Sequence, residues 1–313
     1  MKKRLISLIL LLLCVISLAG CGKRVPDTPS ISGQCTPLLY EVTDGQGNTV
    51  WLFGSIHVGR ESFYPLPDYV MNAYNQADAL AVEFDVLAYQ EDLAAMTNDL
   101  QDMVYTDGST IADHIPQPLY EDCVNIMKEN NSYNAKMDSY NIAMWAQFIE
   151  SFTMEQAGAD TELGIDVHFL GLAHQEGKPI INIESASEQY GIMADLPQEL
   201  QVTLLETAVA NYGQAELYAQ SLQVMLNAWQ LGNATLLSIL AAPTAQSQEE
   251  AALLDEYNNA MITERNENMT DFAENALKTG QKLFICVGAA HVVGDGGMAK
   301  LLEARGYTVR VVE

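Results

Sequence analysis

Two histidines stand in matching local sequences near opposite ends of the chain. Phe53-Gly54-Ser55-Ile56-His57-Val58-Gly59 and Val287-Gly288-Ala289-Ala290-His291-Val292-Val293-Gly294 share an order: an apolar run, a glycine, two small or apolar residues, a histidine and another glycine. A glycine after a strand permits a sharp turn and a close backbone approach to a ligand, so Gly54 and Gly288 would hold each imidazole on a tight, rigid loop. Two carboxylates close strand-like runs of their own, Glu83 after Ala79-Leu80-Ala81-Val82 and Glu184 after Pro179-Ile180-Ile181-Asn182-Ile183. Burying an unpaired carboxylate is costly. Glu83 therefore needs the open end of its strand, a metal ion, or a cation such as Arg265. Two imidazoles and a carboxylate, His57, His291 and Glu83, form a ligand set suited to Zn, Mn, Co or Fe. A divalent ion held there lowers the pKa of its water and supplies a nucleophile at neutral pH. Glu83 or Glu184 is then the candidate general base.

The elements that position these groups follow from pattern. Leu38 to Val42 and Asn48 to Phe53 read as a β-hairpin about the turn-rich Thr43-Asp44-Gly45-Gln46-Gly47. A helix follows Pro67, and another spans Gly164 to Gly177. The end reads as β-α-β: Lys282 to Val287, a helix from about Gly297 to Ala304, and Tyr307 to Val312. Strands alternating with helices predict an α/β fold with a central mixed, mostly parallel sheet. Two helix-only stretches, about 86–160 and 186–278, are expected to form a cap over it. In open α/β sheets ligands bind beyond the carboxyl ends of the strands. His57, Glu83, Glu184 and His291 all follow strand ends, which places them at one edge.

Other candidates are weaker. His168 and His174 lie six apart on one helix, about 240° around its axis, and cannot face one ion as an i, i+4 pair would. With His114, they read as surface or structural. Gly294-Asp295-Gly296-Gly297 could open a helix facing an anion, or be a plain loop-to-helix turn. The sequence holds no His-Glu-x-x-His, Walker loop or Gly-x-Ser-x-Gly.

The N-terminus carries an address. Met1 to Arg4 is basic, Leu5 to Leu18 is almost wholly apolar, and Ala19-Gly20-Cys21 follows. The apolar run is too short to span a bilayer and reads as a signal peptide. Leu18-Ala19-Gly20-Cys21 resembles the bacterial lipobox, with Cys21 the lipidated residue. The expected order is signal 1–20, tether 21–36 and folded domain 37–313. This implies export and anchoring to the outer face of the cytoplasmic membrane or the periplasmic side of an envelope. Cys35, Cys123 and Cys286 remain, so at most one disulfide is possible. The 313 residues carry 41 acidic and 15 basic side chains, a net charge of −26 that becomes −29 without Lys2, Lys3 and Arg4. Such a surface repels phosphate backbones, which argues against nucleic-acid binding. The sequence does not indicate an oligomeric state.

The ordered set of motifs resembles the TraB/GumN/PrgY family, whose eukaryotic relatives include the Tiki membrane metalloproteases. The likeness runs from Leu52–Gly59 through Val82-Glu83, Gly164-Ile165-Asp166, Ala173, Gly177-Lys178-Pro179, Ile183-Glu184 and Glu264-Arg265-Asn266 to Val287–Gly294 and on through Gly306-Tyr307. By that resemblance, Glu83, Asp166, Glu184 and Arg265 match characteristic polar positions. It implies peptide hydrolysis dependent on a divalent metal (Mn, Co or Zn), with Arg265 binding a substrate carboxylate or stabilising an oxyanion. The expectation is a lipid-anchored hydrolase acting on a peptide or small molecule. A non-catalytic peptide- or signal-binding protein, and a metal-free His/Glu esterase-like hydrolase, are the competing readings.

Overall fold

The computed structural model describes residues 35–242, 245 and 247–313. The signal, lipobox and most of the tether, Cys21 included, lie outside the described residues. Six strands form one sheet: β1 Leu39–Thr43, β2 Thr49–Ser55, β3 Ala79–Val82, β4 Ile180–Asn182, β5 Leu283–Gly288 and β6 Thr308–Val311, in spatial order β4-β3-β5-β2-β1-β6. The four strands β4, β3, β5 and β2 run parallel. β1 returns antiparallel as the hairpin partner of β2, and β6 pairs antiparallel with β1. The fold is thus the mixed, mostly parallel α/β sheet expected. The final β-α-β is not a pair of neighbours, however. β6 crosses past β2 and β1 to the far edge, where residues 308–311 find a free ladder.

The helices in chain order are α1 Asp68–Gln76, α2 Val86–Glu91, α3 Leu93–Asp102, α4 Gln117–Glu129, α5 Ile142–Gln156, α6 Ile165–Glu176 and α7 Ala186–Asp195. They continue with α8 Gln198–Tyr212, α9 Ala215–Gln230, α10 Ala234–Ala241, α11 Gln248–Asn258, α12 Glu264–Thr279, α13 Ala289–Val292 and α14 Met298–Ala304. One face of the sheet presents Phe53, Leu80, Val82 and Phe284 to α1, α6 and α9. The other presents Leu52, Ala81, Ile285 and Val287 to α12 and α14. β2, β3 and β5 are covered on both faces and are almost wholly apolar, as central parallel strands must be.

The helical insertions pack their own cores, α4, α5 and α8 around Trp145 and Ile149, and α7 with α8 around Met193 and Leu200. One polar group is buried where α5, α8 and α9 meet. Glu150 is 6% exposed and accepts a hydrogen bond from Tyr218 Oη at 2.7 Å. Burial, only partly offset by hydrogen bonds from Tyr218 and Asn211, raises its pKa to about 7. Cys35, Cys123 and Cys286 are free thiols, and Cys286 is a buried core residue of β5.

Candidate functional site

Because β2, β3, β4 and β5 are parallel, their carboxyl ends share one edge, and there the expected residues meet. Glu83 is the first residue beyond β3, and the Gly288 N–H at the end of β5 donates to its Oε1 at 2.8 Å. Its Oε2 accepts from Arg265 Nη2 at 2.8 Å. Arg265 also grips Glu184 side-on, Nε to Oε1 at 2.9 Å and Nη2 to Oε2 at 2.7 Å. Its Nη1 donates to the Met261 carbonyl at 3.1 Å, in a π-helical stretch, Asn259–Thr263, that leads into α12. Such stretches recur at functional sites. Gln189 completes the ring, its Nε2 donating to Glu83 at 3.0 Å and Glu184 at 2.9 Å.

Arg265 is 2% exposed and Glu83 7%, so each charge depends on the other. Burial alone would raise the Glu83 pKa, but Arg265, the two histidines and the Gly288 N–H bring it down to about 2. Burial likewise opposes the charge on Arg265, yet Glu83 and Glu184 hold it above its ordinary value. Glu83 therefore has the cation partner weighed against a metal in the sequence. Arg265 makes four of its five N–H hydrogen bonds inside the protein. It is placed to hold the two carboxylates more than to meet a substrate anion.

The histidines are oriented in parallel fashion by different partners. His57 Nδ1 lies 2.7 Å from Asp166 Oδ2, at the first turn of α6. His291 Nδ1 lies 2.7 Å from Asn266 Oδ1. Asn266 Nδ2 donates to the Gly296 carbonyl at 2.7 Å, which leaves its oxygen as the acceptor facing His291. Both rings therefore carry hydrogen on Nδ1, and His291 keeps a lone pair on Nε2. Burial opposes protonation of His57, but Asp166 and Glu83 outweigh it and raise the pKa to about 8. Burial and Arg265 press His291 down to about 3, so it stays neutral. His291 occupies a one-turn helix, α13, where a loop was expected.

The glycines serve close approach. A Cβ on Gly54 would fall 3.0 Å from Ala289 Cα, and one on Gly288 would fall 3.3 Å from Glu83 Oε1 and 3.5 Å from His291 Cδ2. The Gly54 carbonyl accepts from Trp229 Nε1 at 2.8 Å, which ties α9 to the first motif.

The predicted catalytic and metal-ligating residues thus gather at one edge: His57, Glu83, Asp166, Glu184, Arg265 and His291. Gln189, Asn266 and Trp229 complete the site and carried no role in the sequence reading. Asn266 adjoins Arg265, and Gln189 lies one turn into the helix begun by the Ser185–Glu188 capping box. Those adjacencies were the only signal. His174 pairs instead with Asp85 at 2.7 Å, His168 packs at a tilt against Tyr64, and His114 stacks on Tyr105.

Fold and site together are a parallel-centred sheet with two buried, oriented histidines and a clamped carboxylate pair at its carboxyl edge. The chain belongs to the TraB/PrgY/gumN family, whose model matches residues 38–311. It is 26% identical over 252 residues to the uncharacterized protein YbaP of Escherichia coli K12, covering 80% of this chain and 87% of YbaP. The same figures hold for YbaP of Shigella flexneri. No solved structure matches the chain.

A divalent ion is what the resemblance implies, and the donor set can be tested against it. Among the described residues no three His, Cys, Asp or Glu side chains form a ready-made metal cage. The two imidazoles still fit. Each has its Nδ1 tied to an oxygen, the outer arrangement that ligating histidines show. Nearby stand three carboxylates, Glu83, Glu184 and Asp166, against one guanidinium. Among the described residues the buried Gln189 Oε1 has no hydrogen-bond partner, which leaves one unused acceptor beside the two carboxylates.

Proposed function

We propose that the chain is a hydrolase of peptide-like substrates that works with a divalent metal ion held by His57 and His291 through Nε2. The observation that carries this is the pair of oriented imidazoles in a buried surround of net negative charge. The ion would supply Lewis acidity, polarising a scissile carbonyl and making water a stronger nucleophile at neutral pH. Asp166 and Asn266 each accept from an Nδ1–H, so Nε2 of the neutral His291 is bare, and Nε2 of His57 becomes bare once a bound ion displaces its second proton. Glu83, with its pKa near 2, is a weak proton acceptor and acts here as the anchor of Arg265 and of the Gly288 turn. Gln189 holds Glu83 and Glu184 together on one guanidinium. Burial of these groups strengthens the interactions between their charges.

A second reading rests on the His57–Asp166 pair. A histidine with a pKa of about 8 can act as a base near neutral pH without a metal. Metal content of protein purified without chelators, compared with His57→Ala and His291→Ala, separates the two. Stoichiometric metal in the wild type and loss in both variants supports the first. Hydrolysis by metal-free protein supports the second. Binding without hydrolysis of a broad peptide library leaves a non-catalytic binding protein.

We also propose that Cys21 carries the lipid anchor and places this site outside the cytoplasm. Among the described residues no helix is long and apolar enough to cross a membrane. Cys21→Ala should release the protein from washed membranes, and retention there would sink the proposal.

A further inference from the structure

Two cavities flank the loop 293–297, one of about 390 Å³ and one of about 200 Å³. They share Ser238, Val293, Gly294 and Asp295, and so form one groove along α10. The inner end is walled by Ala290 and by Asn266, whose Oδ1 is 2.7 Å from His291. The outer end is lined by Ile239 and Val311, which are 61% and 49% exposed. Of the described residues only one other large apolar side chain, Leu93 on α3, is as open. Apolar side chains left in solvent on one groove mark a contact surface.

Among the described residues no strand pairs with the outer edge of the backbone beside them. β6 is the last strand of the sheet. The Val312 N–H donates to the Leu39 carbonyl at 2.8 Å, opposite β1. Antiparallel alternation then turns the N–H and C=O groups of Val309 and Val311 away from β1, toward the free edge. An extended chain laid there finds main-chain partners and a seat for an apolar side chain between Val311 and Ile239. The rim carries Lys300, paired with Glu303 at 2.6 Å, and Asp295. One negative charge is therefore in excess, on a chain already at −26.

We infer that this groove binds an extended peptide with an apolar side chain and no net negative charge, as a strand added to β6, and leads it toward His291. The inference rests on the hydrolase reading only for what happens at the inner end. The test uses fluorescence polarisation of the purified full chain with a labelled neutral hexapeptide containing leucine and valine. Controls are an acidic hexapeptide of equal length and the neutral one N-methylated at alternate residues. Ile239→Asp and Val311→Asp should each weaken the neutral peptide about tenfold, the scale of one part-buried aliphatic side chain. Leu93→Asp should leave binding unchanged, and the acidic and N-methylated peptides should bind poorly. Equal effects at all three positions, equal binding of the acidic peptide, or no binding by the wild type would overturn the inference. So would a change in oligomeric state, rather than in peptide affinity, on Ile239→Asp, since a second copy would then be the occupant. Binding that survives His291→Ala, with no cleavage by metal-loaded wild type, would leave the groove standing and remove the hydrolase.

Discussion

Glu150 allows a stability prediction worked directly from its surroundings. The carboxyl is 6% exposed, is hydrogen-bonded by Tyr218 and Asn211, and pairs with no cation among the described residues. Its pKa rises from the ordinary 4.5 to about 7 in the fold. At about 1.4 kcal/mol for each tenfold change in proton affinity, ionising it in place costs roughly 3 kcal/mol. The sign follows from the folded acid binding its proton more tightly than the unfolded one. The contribution is fully present below pH 4.5, is lost as pH rises toward 7, and is gone above that. Glu150→Gln keeps the oxygen that accepts from Tyr218 and removes the ionisation. The variant should match the wild type near pH 4.5 and be more stable by about 3 kcal/mol at pH 8, a rise in Tm of roughly 5 °C for a chain of this size. Urea unfolding midpoints of both proteins between pH 4.5 and 8 measure this. Other acids titrate alike in the two proteins, so only the difference counts. Two parallel curves, or a variant less stable at pH 8, would refute the account of Glu150.

Two predictions concern the site. Arg265→Met leaves Glu83 and Glu184 buried without their cation and should cost about 3–5 kcal/mol of stability. Adding Glu83→Gln should restore part of it, and a double variant no better than the single would count against the clamp. Asp166→Asn removes the charge that holds His57 near pKa 8. Because burial is the largest influence on that ring and opposes its charge, the pKa should fall below the ordinary 6.5. An NMR titration of the His57 ring protons reads it directly, and an unchanged value would show that Asp166 does not stabilise the charge on that ring.

Much of the candidate site could be read from the residues in order. Glycine, two spacers and histidine after an apolar strand recur because the chemistry is local, as do carboxylates closing strands at Glu83 and Glu184. Alternating strand and helix patterns imply a parallel sheet, and a parallel sheet gathers its strand ends on one edge. The amino-acid sequence by itself therefore determined the fold class and which edge carries the polar groups. Tertiary structure alone decided how those groups pair. Arg265 meets Glu83 across 182 positions and Glu184 across 81. His57 meets Asp166 across 109 positions. No periodicity encodes such contacts, because they depend on how α6 and α12 are packed against the sheet. The same holds for β6, whose residues pattern as a strand but whose place at the edge beside β1 follows from which ladder was left open. Local propensity acts over a few residues, whereas burial of charge is settled only once the whole core has closed.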